Sequence, residues 1–213
     1  MAELMVIRHG QASFGAANYD VLSDLGHAQS RAVGAHLKRA CWTPDRIVIG
    51  TMQRHAETLA SMGLDGAETH SGFNEYDFAD LLAARYKGDV PELVKGDRKT
   101  HFRTLRETVL MWQQGELEGA AETWGDFAAR TEAARAFACD TEAKRVLVVS
   151  SGGVIGQLAS RALDAPARMM MELNLQVKNS SISTFVFSGP RFFLHQFNAA
   201  PHLDAAPDLA SYS

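Results

Sequence analysis

A chain of 213 residues, 46% of them hydrophobic, is long enough to bury one substantial core, so a single domain over 1–213 is expected. Its 25 acidic and 21 basic residues leave a formal charge of −4 with no Lys/Arg run, which argues against nucleic acid or an anionic membrane as partner. Any positive field must therefore be local, built from a few arginines converging on one pocket.

In chain order, residues 4–7 read as a short buried strand, followed by a polar loop from Arg8 to about Asp20. Ser23 or Asp24 can cap a helix beginning near Leu25, with Ala28, Ala32, Ala35 and Leu37 at helical spacing and Pro44 as its stop. A second strand over 46–50 leads to Thr51, which can cap a helix carrying Met52, Ala56, Leu59 and Ala60. Residues 74–124 show helical apolar patches and no convincing strand, as expected of an inserted helical cap region. A helix over 126–140 follows. Residues 145–150 (Arg-Val-Leu-Val-Val-Ser) form the strongest strand signal, and Ser151-Gly152-Gly153 leads from it into a helix over 154–163. Segments 180–187 and 192–197, separated by Ser188-Gly189-Pro190, read as a strand pair. The Ala/Pro/Asp-rich stretch after Pro201 reads as loose, and Met169-Met170-Met171 as flexible apolar packing at a pocket rim or interface.

Strands alternating with helices predict an α/β fold: three-layer α/β/α, with a mostly parallel central sheet and the helical insertion beside it. In such sheets ligands bind at the carboxyl ends of the strands. Arg8-His9, 51–54 and 150–153 each follow a strand, so three strand ends meet at one crevice. A lone strand-end His-Arg pair is ordinarily a solvated feature, and a lone Arg54 an ordinary helix-surface residue. Together they suggest chemistry. Neutral imidazole is a good nucleophile toward phosphorus, and a phosphoryl group in flight needs fixed cationic donors, for which the arginine fork is suited. Gly152 and Gly153 let an anion approach a helix N-terminus.

The segment Val6-Ile7-Arg8-His9-Gly10-Gln11 resembles the Arg-His-Gly signature of the histidine phosphatase superfamily, also called phosphoglycerate mutase-like. Leu22-Ser23 through Gly26 with Gln29, Thr51 through Ala60, Asn74-Glu75, 146–153 and Asn179-Ser180-Ser181-Ile182 are similar, in order, to that family's further motifs. The resemblance implies a metal-independent phosphomonoesterase working through a phosphohistidine on His9. Glu75 would be the proton donor, with Asp77 as the spare candidate, and Arg8, Arg54, Ser151 and Gly152 would bind phosphate. It implies no cofactor and no metal, a small phosphate ester or other phosphorylated substrate, and homodimerisation as the assembly to consider.

The departures are as informative. Ser151 stands where the family usually places a second histidine, and serine donates only a neutral, shorter-reaching bond. No other histidine takes that place in the sequence: His55 follows Arg54 but is expected to point along the other side of its helix. The family's asparagine after the nucleophile is out of register, with Gly15 at its spacing and Asn18 three residues late, leaving Asn18 and Ser13 as phosphate contacts to consider. Asp20 reads as a loop or cap residue. The alternatives are a phosphoglycerate mutase-type phosphotransferase, disfavoured by Tyr76-Asp77-Phe78-Ala79-Asp80, and a phosphate-binding module weakened by Ser151. The remaining histidines show no ligand spacing. Cys41 and Cys139 make neither a disulfide framework nor a zinc site. No segment reaches the about 18 apolar residues of a membrane span and the N-terminus carries no signal peptide, so the cytoplasm is the expected location.

Overall fold

The computed structural model describes residues 1–13, 20–91, 98–204 and 206–212. Its strands are β1 (Ala2–Arg8), β2 (Arg46–Ile49), β3 (Glu68–Thr69), β4 (Arg145–Ser150), β5 (Ile182–Ser188) and β6 (Arg191–Ala199). They form one sheet in the order β3-β2-β4-β1-β5-β6. The pairs β3/β2, β2/β4 and β4/β1 are parallel, and β5 runs antiparallel between β1 and β6. The helices are α1 (Asp24–Arg39), α2 (Gln53–Ser61), α3 (Phe78–Tyr86), α4 (Arg98–Gln113), α5 (Trp124–Cys139), α6 (Gly152–Ala162) and α7 (Arg168–Asn174).

Alternation along the central strands builds the layers. Leu4, Val6, Val146 and Val148 face one side and join a core with Phe127, Val154, Ile155, Leu158 and Met170. Met5, Ile7, Leu147 and Val149 face the other and meet Val33 and Leu37 of α1 and Leu59 of α2. Because both faces are covered, β4 is a nearly continuous apolar run rather than an alternating one. Each of these buried aliphatic side chains contributes about 1.5–3 kcal/mol.

Register then decides where function can collect. Arg8 lies opposite Ser150, and Ile49 opposite Val149. Three parallel strands therefore end at one level, and their loops open on a common crevice. The segment 74–124 contributes α3 and α4, with no strand among its described residues. Trp112 anchors it through ring contacts of 5.4–5.5 Å with Tyr76, Trp124 and Phe127.

Several local expectations need correction. Thr51 does not cap α2: the helix begins at Gln53 after Met52, which makes no side-chain cap bond. Thr51 is instead tied to Asn74, its N–H donating to Oδ1 and its Oγ1 accepting from Nδ2, both at 2.7 Å. The stretch after Pro201 is not loose in its described residues. It forms two 3-10 turns, Pro201–Leu203 and Pro207–Leu209, with His202 and Leu203 buried. Met170 and Met171 are wholly buried in the core rather than at a rim. The two-residue strand β3 is exposed and carries no apolar pattern, so sequence periodicity has nothing to register there.

Candidate active site

The crevice is built around the end of β1. The N–H of His9 donates to the Ser150 carbonyl at 2.9 Å and its own carbonyl accepts from Ser180 N–H at 3.2 Å, so both sheet neighbours hold the backbone. Its Nδ1 lies 2.7 Å from the Gly10 carbonyl oxygen. A carbonyl can only accept, so the ring hydrogen sits on Nδ1 and Nε2 keeps its lone pair. The ring is buried, and its pKa is held well below the usual histidine value, first by burial, then by Arg54, Arg8 and His55. His9 is thus neutral at neutral pH, with the basic nitrogen turned away from its own backbone.

The loop beyond His9 is pinned by helix side chains. Gly10 N–H donates to Thr58 Oγ1 of α2 at 3.1 Å, and Gln11 N–H donates to Gln29 Oε1 of α1 at 2.8 Å. Ser23 Oγ accepts from Gly26 N–H at 3.1 Å, capping α1 as its position suggests. Ser13 donates its N–H to the Val21 carbonyl, and Gly15 and Asn18 lie outside the described residues.

Arg8 and Arg54 converge from two strand ends. Arg8 donates from Nη1 to the Val177 carbonyl and is 6% exposed. Arg54, on the first turn of α2, is 5% exposed and donates from Nη1 to Asp20 Oδ1 at 2.7 Å. The other oxygen of Asp20 accepts from Gln53 N–H at 2.9 Å, so this carboxylate both caps α2 and orients Arg54. That makes Asp20 more than a loop residue. Both guanidinium groups act electrostatically on His9 and on Glu75.

Glu75 reaches the same crevice from the loop before α3. Its Oε2 accepts from Gly153 N–H at 3.0 Å, at the head of α6. Burial pushes its carboxyl up, against the opposing pull of that hydrogen bond and of Arg54 and Arg8. A Cβ at Gly153 would stand 2.3 Å from Glu75 Oε1, so glycine is what admits the carboxyl. Asp77, the spare candidate, instead caps α3 by accepting from Asp80 N–H at 3.1 Å. Gly152 is buried beside the Arg8 guanidinium, where a Cβ would lie 3.5 Å from Cζ.

Ser151 is fully buried at the N-cap of α6, but its hydroxyl makes no cap bond. Its Oγ lies 2.8 Å from Nε2 of His55. This overturns the expected orientation of His55. The ring does not point along the far side of α2; it is fully buried, 5.8 Å from the His9 ring between centroids. Helical phase about a single arginine could not reveal this, because the ring's partner, Ser151, lies 96 positions away along the chain. Asn174, also unflagged by sequence, donates from Nδ2 to the Tyr76 hydroxyl at 3.0 Å, and its Oδ1 stands where a Cβ on Gly152 would clash at 2.4 Å. Among the described residues no group of three or more His, Cys, Asp or Glu side chains is placed to hold a metal, and no helix is long and apolar enough to cross a membrane.

Residues 4–200 match the family model for the histidine phosphatase superfamily, branch 1. The chain belongs to that superfamily. Solved structures share the fold at low identity. A phosphoserine phosphatase mutant from Entamoeba histolytica, in complex with phosphoserine, is 18% identical with a TM-score of 0.68, covering 95% of this chain and 100% of its own. A mycobacterial glucosyl-3-phosphoglycerate phosphatase is 22% identical with a TM-score of 0.66, covering 94% and 100%. The alpha-ribazole phosphatase from Shigella flexneri is 20% identical with a TM-score of 0.66, covering 93% and 96%. No curated protein sequence matches this histidine phosphatase superfamily member significantly.

Proposed function

We propose that this protein hydrolyses small phosphomonoesters through a phosphohistidine formed on His9, without a metal or cofactor. The observation that carries the reading is the neutral, buried imidazole of His9, its Nδ1 hydrogen given to Gly10 and its Nε2 left as nucleophile between two buried arginines. In the first step Nε2 attacks phosphorus, the N–P bond forms and the P–O ester bond breaks. Protonated Glu75 gives its hydrogen to the leaving alkoxide. Arg8 and Arg54 hold the equatorial oxygens, each such charged bond being worth about 1.5–3 kcal/mol. In the second step Glu75, now a carboxylate, takes a proton from water as the water oxygen bonds phosphorus and the N–P bond breaks. Free histidine and inorganic phosphate result, and Glu75 is protonated again. The raised carboxyl of Glu75 suits this alternation. The α3–α4 region acts in this reading as the cap that selects the ester's alcohol.

The small phosphorylated molecules for which the structural relatives are named agree with a small phosphate ester as substrate. The test is turnover of p-nitrophenyl phosphate. Wild type is expected to release p-nitrophenol with EDTA present, and folded His9→Ala to release none. An acid-labile phosphoenzyme should be trapped in wild type alone. Most of the activity surviving in folded His9→Ala would end the phosphohistidine reading, and phosphate binding without turnover in wild type would make the protein a binding module.

A further inference from the structure

Ser151 and His55 pose a question of hydrogens. A serine hydroxyl has a single hydrogen to donate. If Ser151, whose neighbour Gly152 packs beside the Arg8 guanidinium, donates to a phosphoryl oxygen, it cannot also donate to His55. The 2.8 Å contact between Oγ and Nε2 must then be made by a hydrogen on the imidazole. Both residues are buried.

The ring is placed for that task from every side. Its Nδ1 packs against the Gly50 backbone without an aligned hydrogen bond, and a Cβ on Gly50 would stand 2.3 Å from it. Asn74, whose Oδ1 would lie 2.7 Å from the same Cβ, closes that side. The ring's charged and titratable neighbours are Arg54 on its own helix and His9 at the end of β1, to which Arg8 and Glu75 are linked in turn, Arg8 through His9 and Glu75 through Arg54. With no anion present, burial and Arg54 push the ring down to about 3 against the opposing pull of the Gly50 backbone, so it is neutral. A dianion beside Arg8 and Arg54 opposes the influence of Arg54 and favours a hydrogen on the ring.

We propose that His55 and Ser151 act as one unit, in which binding of a phosphoryl dianion sets a hydrogen on His55 Nε2 and turns the Ser151 hydroxyl toward the phosphoryl oxygens. His55 is here a positioning residue acting through Ser151, and the proposal rests on the phosphatase reading of the His9 site. It accounts for a serine at this position: the imidazole is supplied from α2 instead of from the head of α6, with one oxygen as intermediary.

Two readouts test it. Nitrogen-15 NMR of labelled histidine, with the His55 signal assigned by its loss in His55→Gln, should show Nε2 carrying a hydrogen when inorganic sulfate is bound. A pyridine-like, hydrogen-free Nε2 in the sulfate complex overturns the proposal. In turnover, His55→Leu and Ser151→Ala should each lower kcat about 10- to 100-fold, and the double variant no further, because the two remove the same bond. His55→Gln, whose amide nitrogen can donate at the Nε2 position, should recover most of that loss; failure to exceed His55→Leu overturns the proposal, as do additive losses. If His55→Leu does not fold, Ser151→Ala carries the same expectation by removing a single oxygen. The phosphatase reading fails separately, on an active His9→Ala, and the sulfate-bound state of His55 would still be readable.

Discussion

Asp20 shows how much of the site depends on a residue that touches no reacting atom. Its two oxygens hold the Arg54 guanidinium and the first N–H of α2. Asp20→Asn should keep one of these bonds and weaken the charged one, lowering kcat/KM by about tenfold, while Asp20→Ala should cost more and also loosen the start of α2. Glu75 gives a sharper test because its activity and stability effects oppose each other. Its folded carboxyl binds a proton more tightly than the unfolded one, so the stability tied to it is full below about pH 4.3 and is lost as pH rises through the raised value. Glu75→Gln should therefore raise Tm at pH 7.5, since glutamine keeps an acceptor for Gly153 N–H. It should lower kcat about 100-fold on an alkyl phosphate and far less on p-nitrophenyl phosphate, whose leaving group needs no proton. Ser151→His, which the family pattern alone would suggest as a gain, should instead lower turnover. A second imidazole would enter space already filled by His55.

At the scale of elements, the C-terminal turns act on the nucleophile loop through α1. Gln29 Nε2 donates to the Leu209 carbonyl at 2.6 Å and to Ser211 Oγ at 2.8 Å, while its Oε1 accepts from Gln11 N–H. Ser211 also accepts from Asn179 N–H through its carbonyl at 3.0 Å and donates from Oγ to Asn179 Oδ1. Removing residues 207–213 should take the Ser211 carbonyl from Asn179 N–H and both acceptors from Gln29 Nε2. A loss of about 1–3 kcal/mol in urea unfolding is expected, with a drop in kcat as the loop after His9 loosens. Unchanged activity in a folded truncation would show that the tail braces α1 without reaching the site. Gln29 was visible in the sequence as part of a family motif, but its partners in the tail were not, because that segment has no periodicity to read.

For the whole molecule, burial of neutral histidines sets an acid limit. His9, His55 and His202 all have lowered values, His55 at about 3 and His202 at about 4. Each binds its proton less tightly folded than unfolded, so its contribution is fully present above about pH 6.5 and is lost as pH falls toward the folded value. The slope is about 1.4 kcal/mol per pH unit for each group in that window. Unfolding free energy measured in urea should fall steeply between pH 6.5 and pH 4. His202→Gln should flatten the slope, since its Nε2 partner, Ser180 Oγ at 2.9 Å, can be retained by an amide. An unchanged slope would mean that His202 is not buried neutral.

The layered fold, the strand ends at Arg8, Ile49 and Ser150, and the candidates His9, Arg8, Arg54 and Glu75 were all legible in the sequence. Buried parallel strands leave continuous apolar runs, and the loops that follow them carry their polar residues in contiguous motifs. Side-chain direction was not legible. Whether His55 faces solvent or His9 depends on the side-chain-free space at Gly50 and on the contact with Ser151, 96 positions away along the chain. Asp20, Asn174 and the C-terminal turns likewise gain their roles from partners far away in sequence. Local pattern reports which face of an element is apolar; only the packed chain decides which polar groups, brought together out of water, must share their hydrogens.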